Sequence, residues 1–201
     1  MTSENSSLRI GVLALQGAFL EHRRMLERLG ARTFEIRQRK DLDFPMDGIV
    51  LPGGESTVQG KLLRSLELFE PLRENIRSGL PVLGTCAGAI LLAERIEGVS
   101  EAHLGTLPMT VRRNAYGRQL GSFYAEGKIE NIGDAFPMTF IRAPVIEGVE
   151  KGVRVLASVG GRIVAVQFKR ELAVTFHPEL SSNTRLHAYF LSLCREFASA
   201  L

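Results

Sequence analysis

The stretch Pro81-Val82-Leu83-Gly84-Thr85-Cys86-Ala87-Gly88-Ala89 decides how this chain must fold. Pro81 to Leu83 is a short apolar run that reads as a buried strand, and Ala89 to Glu94 begins a helix directly afterwards. Between them a sharp turn carries one reactive side chain among small residues. That is the composition of a nucleophile elbow, with Cys86 standing where serine stands in G-x-S-x-G. The side chain then projects from the carboxyl end of a strand, and the helix N-terminus behind it favours thiolate over thiol. A lone cysteine is more often simple packing, so the rest of the chain has to support the elbow.

The same alternation continues toward the N-terminus. Leu8 to Leu15 reads as a first strand ending in Gln16-Gly17, and Ala18 to Leu29 follows with apolar residues at helical spacing until Gly30. Arg32 to Ile36 and Gly48 to Leu51 predict two further strands, the latter broken by Pro52-Gly53-Gly54. Leu66, Phe69, Arg73 and Ile76 share one face of a helix closed by Ser78-Gly79. Strands alternating with helices imply right-handed βαβ units, hence a mostly parallel, flavodoxin-like sheet in a three-layer α/β fold.

The second half changes character. Short β-like runs at Met109–Val111, Gly121–Tyr124, Met138–Ile141, Val153–Ala157, Ile163–Phe168 and Leu172–Phe176 predict hairpins that join or extend the sheet. A last helix, about Thr184 to Ala198, lines up Leu186, Phe190, Leu193 and Phe197. Met1 to Ser7 is a polar extension, and residues 8–201 read as a single domain without repeat or linker.

Composition excludes several function classes. A hydrophobic share of 45% and a charged share of 23% are those of a globular chain. The net charge is +3 and no five like charges adjoin, so nucleic acid is not an expected partner; Arg37-Gln38-Arg39-Lys40 reads as solvated surface. No apolar run reaches the roughly 18 residues that cross a bilayer. Two cysteines far apart and no secretory h-region predict a reducing, cytoplasmic setting.

Two more segments bear on chemistry. A cysteine nucleophile needs a base within reach, and the base needs a third group to fix its tautomer. Phe176-His177-Pro178-Glu179 follows the last strand, and in an extended segment His177 and Glu179 point the same way. Leu51-Pro52-Gly53-Gly54-Glu55-Ser56 offers backbone N–H groups to an anion. It lacks the Gly-Lys-Ser/Thr ending of a phosphate loop. An oxyanion hole is the more economical role, with the Cys86/Ala87 backbone as second donor. Cys194 reads as packing and His22 as a core-edge histidine. His103 and His187 show no ligand spacing, so no metal or other cofactor is expected.

Taken together, the elbow, Pro52-Gly-Gly-Glu-Ser-Thr57 and Phe176-His-Pro-Glu-Leu180 resemble the class I (triad) glutamine amidotransferases. Gly11-Val-Leu-Ala-Leu-Gln-Gly-Ala18, Arg113-Asn114-x-x-Gly117-Arg118-Gln119 and Phe140-Ile-Arg-Ala-Pro144 narrow the likeness to the glutaminase subunits of pyridoxal 5′-phosphate synthases. The resemblance implies Cys86 as nucleophile with His177 and Glu179, and Gly53, Gly54, Glu55, Arg113, Ile141 and Arg142 around L-glutamine. It also implies oxyanion donors at Gly53, Gly54 and Ala87. Its partner would be a (β/α)₈-barrel synthase subunit in a large hetero-oligomer, the glutaminase staying weak or silent until that partner docks. Gln59 departs from the pattern, where a smaller or less polar residue is expected. Three rival readings remain: a related triad glutaminase, disfavoured by Gln16-Gly17-Ala18 and Arg113-Asn114; a cysteine peptidase, disfavoured by His177-Pro178-Glu179; and a non-enzymatic scaffold, disfavoured by the intact triad.

Overall fold

The computed structural model describes residues 7–113 and 121–200. The segment Asn114 to Gln119 and nearly all of the N-terminal extension lie outside the described residues. The first half runs β1 (Arg9–Leu13), α1 (Phe19–Arg28), β2 (Arg32–Ile36), β3 (Gly48–Leu51), α2 (Ser56–Ser65), α3 (Phe69–Arg77), β4 (Val82–Thr85), α4 (Ala87–Leu92) and β5 (Ala93–Ile96). The second adds β6 (Leu107–Arg112), β7 (Ser122–Ile129), β8 (Gly133–Ile141), β9 (Val145–Val149), β10 (Arg154–Val159), β11 (Arg162–Phe168) and β12 (Glu171–Val174). The helix α5 (Arg185–Ala198) closes the fold.

Strands β2-β1-β3-β4-β12 are parallel neighbours in a ten-stranded sheet. β11, β9 and β6 continue it antiparallel, β5 forms the far edge, and β10 hangs on β11. The central strands β3 and β4 are buried at every position, which is why Gly48–Leu51 and Pro81–Leu83 read as unbroken apolar runs rather than alternations. Because β1, β3, β4 and β12 run the same way, the loops after them share one edge. In doubly wound sheets that edge is where ligands sit.

β7 and β8 form a separate two-stranded sheet. Along β8 the buried residues are Phe136, Met138 and Phe140, every second position, so one face of the hairpin packs inward. Phe136 and Phe140 meet Phe176 at centroid distances of 5.9 Å and 5.8 Å. Aromatic packing of this kind contributes about 1 kcal/mol beyond area burial, and it falls next to His177.

The structure corrects several sequence expectations. The helix expected through Leu66, Phe69, Arg73 and Ile76 is two helices, broken where Glu67 takes φ 57°. Its buried face is Phe69, Leu72 and Ile76; Leu66 is outside it and exposed. The Ala89–Glu94 helix instead ends at Leu92, and Ala93 opens β5, an edge strand. β9 has no counterpart among the expected strands. Both strands are short, and only their pairing with β6 makes them visible.

Candidate active site

Cys86 sits between β4 and α4 with φ 48° and ψ −102°, a conformation that non-glycine residues occupy at a cost of order 1–3 kcal/mol. Gly88 makes the turn possible: a Cβ there would run into the Leu51 carbonyl, so α4 can approach β3 only with glycine at this position. The register between β12 and β4 then carries the partner in. The Cys86 N–H donates to the Val174 carbonyl at 2.9 Å, placing the elbow beside the end of β12.

His177 and Glu179 follow that strand, and their geometry differs from the extended segment expected. Pro178–Leu180 is a 3-10 turn, and it folds the Glu179 carboxylate back so that Oε1 stands 2.7 Å from His177 Nδ1. The His177 N–H donates to the Thr139 carbonyl of β8 at 2.8 Å. The β7–β8 hairpin therefore fixes the base as well as covering the core. All three residues are buried, at 6%, 9% and 6% exposure for Cys86, His177 and Glu179.

Electrostatics follow from these contacts. Burial opposes protonation of His177, but the hydrogen bond to the Cys86 sulfur and the Glu179 carboxylate outweigh it, and its pKa is pushed up to about 10. At neutral pH the imidazolium form therefore stands beside Cys86. Burial would favour a neutral Glu179, yet the imidazoles of His22 and His177 hold the carboxyl below its ordinary range.

A cavity of about 310 Å³ opens above Cys86, lined by Gly54, Glu55, Arg113, Ile141, Arg142 and His177 among others. The Ile141 carbonyl is 3.9 Å from the Cys86 sulfur. Arg113 reaches over to the Thr57 hydroxyl at 2.8 Å. Arg142 caps β8 with φ 46°. Gly53 and Ala87 do not line the cavity. Gly53 lies against the catalytic pair, where a side chain would enter the His177 ring, and Ala87 is buried at the start of α4. The Gly53 carbonyl accepts from the Ala18 N–H at 3.2 Å, so the orientation of the Gly53-Gly54 peptide is tied to the loop after β1.

Sequence reasoning missed Ser56, Thr57 and Ile90, which also line the cavity. It also misplaced His22. Far from the core edge, His22 is fully buried and bonded to Thr85 and His187 at the back of Glu179. Its helical spacing announced an inward face but not the polar company there. Cys194 is packing as expected, set against Gly48. Gln59 is fully buried, its Nε2 donating to the carbonyls of Gln16 at 2.9 Å and Pro52 at 3.2 Å, so it clamps two loops of the site together.

A thiol on a strained elbow, with an imidazole oriented by a carboxylate beside it, is the equipment of a cysteine hydrolase. Known proteins narrow that class. The chain belongs to the SNO glutamine amidotransferase family, whose profile matches residues 12–196. It is 54% identical over 193 residues to a pyridoxal 5′-phosphate synthase subunit PdxT of Desulfitobacterium hafniense strain Y51, covering 96% of each chain. The PdxT of Streptococcus pneumoniae strain ATCC 700669 is 53% identical over 94% of this chain and 99% of its own. A crystal structure of a glutamine amidotransferase superposes with a TM-score of 0.87 at 44% identity, covering 92% of this chain and 98% of that one. A glutamine amidotransferase from Thermotoga maritima, at 16% identity and a TM-score of 0.64 over 96% of this chain and 86% of its own, shares the fold.

Proposed function

We propose that this chain is the glutaminase subunit of a pyridoxal 5′-phosphate synthase, cutting the side-chain amide of L-glutamine. The Cys86 sulfur attacks the amide carbon, and the oxygen gathers negative charge facing backbone N–H groups of Gly53-Gly54 and Ala87. His177 gives its proton to the departing nitrogen, so ammonia leaves as the C–N bond breaks. A water then adds to the thioester while His177 takes its proton, and glutamate leaves as the thiol is restored. Glu55 and Arg142 offer opposite charges to the α-ammonium and α-carboxylate, with Arg113 and Ile141 completing the walls. The observation that carries this reading is that Cys86 and His177 line one cavity, with Glu179 Oε1 2.7 Å from His177 Nδ1 behind them.

The expected partner is a (β/α)₈-barrel synthase subunit, joined in a large hetero-oligomer in the cytoplasm. Ammonia set free in neutral water is protonated and lost as a nucleophile, so delivery through a covered route and an idle free subunit make chemical sense. A misplaced oxyanion donor costs roughly 10²–10³ in rate, and the tie between the Gly53 carbonyl and Ala18 gives a docking partner a handle on that donor. Glutamate production from glutamine, with and without saturating synthase, tests both points. Absence of turnover in both conditions overturns the glutaminase, and equal kcat values overturn the gating. Efficient cleavage of glutamine inside peptides would favour a peptidase instead.

A further inference from the structure

Behind the triad lies a buried polar chain that the proposed chemistry does not use. Glu179 Oε1 is taken by His177, but Oε2 is buried without an in-line hydrogen-bond partner among the described residues. His22 of α1 stands next to it, its Nε2 3.3 Å from Glu179 Oε2 and 3.1 Å from Thr85 Oγ1. On its other side His22 Nδ1 is 2.9 Å from His187 Nε2 of α5. Both histidines are fully buried. Burial lowers the pKa of each, that of His187 to about 3, so both are neutral imidazoles with one N–H apiece.

Those two protons can be arranged in two ways. If His22 carries its hydrogen on Nδ1, it donates to His187 Nε2, and the His187 hydrogen must then sit on Nδ1. That nitrogen is buried and has no partner among the described residues. The lone pair of His22 Nε2 would also face the Glu179 carboxylate. The opposite arrangement removes both faults. His187 Nε2–H donates to His22 Nδ1, and His22 Nε2–H points at Thr85 and Glu179. The His187 Nδ1 atom is left as a bare acceptor, which is cheaper to bury than an orphaned donor or a pair of facing lone-pair charges.

We infer that His22, aligned by His187, is a positioning residue that supplies an N–H to the second oxygen of Glu179. The inference rests on the proposed triad. Glu179 is then gripped from both sides and kept ionised, so that it presents Oε1 to His177 in one orientation. The titratable groups around it are His177 from its own turn, His22 from α1 and His187 from α5, with Glu21 of α1 beyond His22 and Cys86 beyond His177. Removing the His22 donor lets the buried carboxyl take a proton more readily. Activity that requires an ionised Glu179 then fails at higher pH.

The test compares His22→Leu, His22→Asn and His22→Gln in the full chain with its synthase partner. Glutamine carries its amide nitrogen to about the place of Nε2, and asparagine to about that of Nδ1. The expected result is a fall in kcat on the order of 10- to 100-fold for leucine and asparagine, the range for one charge-assisted bond. KM should hold, the acid limb of the kcat/KM profile should move upward, and glutamine should restore most of both. If leucine does not fold, the asparagine and glutamine variants still decide. NMR titration of His177 reads the same effect without turnover: its pKa should fall in His22→Asn, because an ionised Glu179 helps to raise it. Equal behaviour of Asn and Gln, or lost rate with an unmoved acid limb and an unmoved His177 titration, would overturn the inference. An inactive wild type with a normal His177 shift would overturn the glutaminase reading and leave this one standing.

Discussion

Glu171 opens β12 and Glu179 lies on the turn after it; they are equally buried, at 6% exposure each, yet their carboxyls are driven in opposite directions. Burial raises Glu171 to about 7, against only a Thr106 hydroxyl at 2.5 Å and the weaker pull of Lys169 and Arg77. Glu179 has an imidazole at 2.7 Å on one oxygen and another at 3.3 Å on the other, and it is held below the ordinary range. Burial alone therefore does not decide the charge. The deciding factor is whether neighbouring side chains bring nitrogens to the carboxylate. They do so at the carboxyl edge of the sheet, where chemistry needs an anion.

The largest effect should come from stripping the Glu179 end of the nucleophile. Cys86→Ala is expected to remove glutamine turnover by roughly 10⁶ in kcat, as for other nucleophile–base units, while the fold persists. It should also lower the His177 pKa from about 10, since the Cys86 sulfur is a principal cause of the rise. A steady-state assay and an NMR titration check the two parts. Next, Glu179→Gln should cost about 10⁴ in kcat, the loss seen when a triad carboxylate is neutralised. Glu171→Gln should leave turnover near wild type, and a comparable loss there would break the contrast between the two ends.

The Glu171 end should answer in stability instead. Its folded pKa of about 7 lies above the ordinary 4.5, so the stability contributed by the neutral acid is complete below about 4.5 and is lost as pH rises through about 7. The shift corresponds to about 3 kcal/mol. Urea unfolding of the wild type should weaken between pH 5 and 8 by an amount of that order, and Glu171→Gln should flatten the slope. Glu179 has the reverse sign: its contribution is present above the ordinary carboxyl pKa and is lost as pH falls through the depressed one.

The smallest effect should be that of a neutral polar group at the catalytic end. Gln59→Met gives up two hydrogen bonds but also removes a buried Oε1 that has no partner among the described residues. The two terms nearly cancel, and stability should change by less than about 1 kcal/mol. A denaturation midpoint shift well beyond that would show that the clamp between Gln16 and Pro52 matters more than its bonds suggest.

The chain alone announces the elbow, the glycine loop and the pairing of His177 with Glu179, though not the turn that joins them, because each is a local signal. A strained nucleophile needs small neighbours, a close backbone approach needs glycine, and here the carboxylate that orients the base happens to lie two residues from it. The parallel half of the sheet is legible for the same reason, since β-α alternation and buried apolar runs are written in short windows. Other features have no local signature. The break at Glu67, the edge strand β5 and the interior strand β9 depend on what packs or pairs with them. Thr139 positions His177 from another hairpin, and His22 meets His187 across 165 residues of sequence. In the sequence His22 is one more inward position on an amphipathic helix. Only the packing of α1 against the turn after β12, with α5 against α1, makes it a partner of Glu179, because a contact between buried groups is set by three-dimensional placement and leaves no period in the chain.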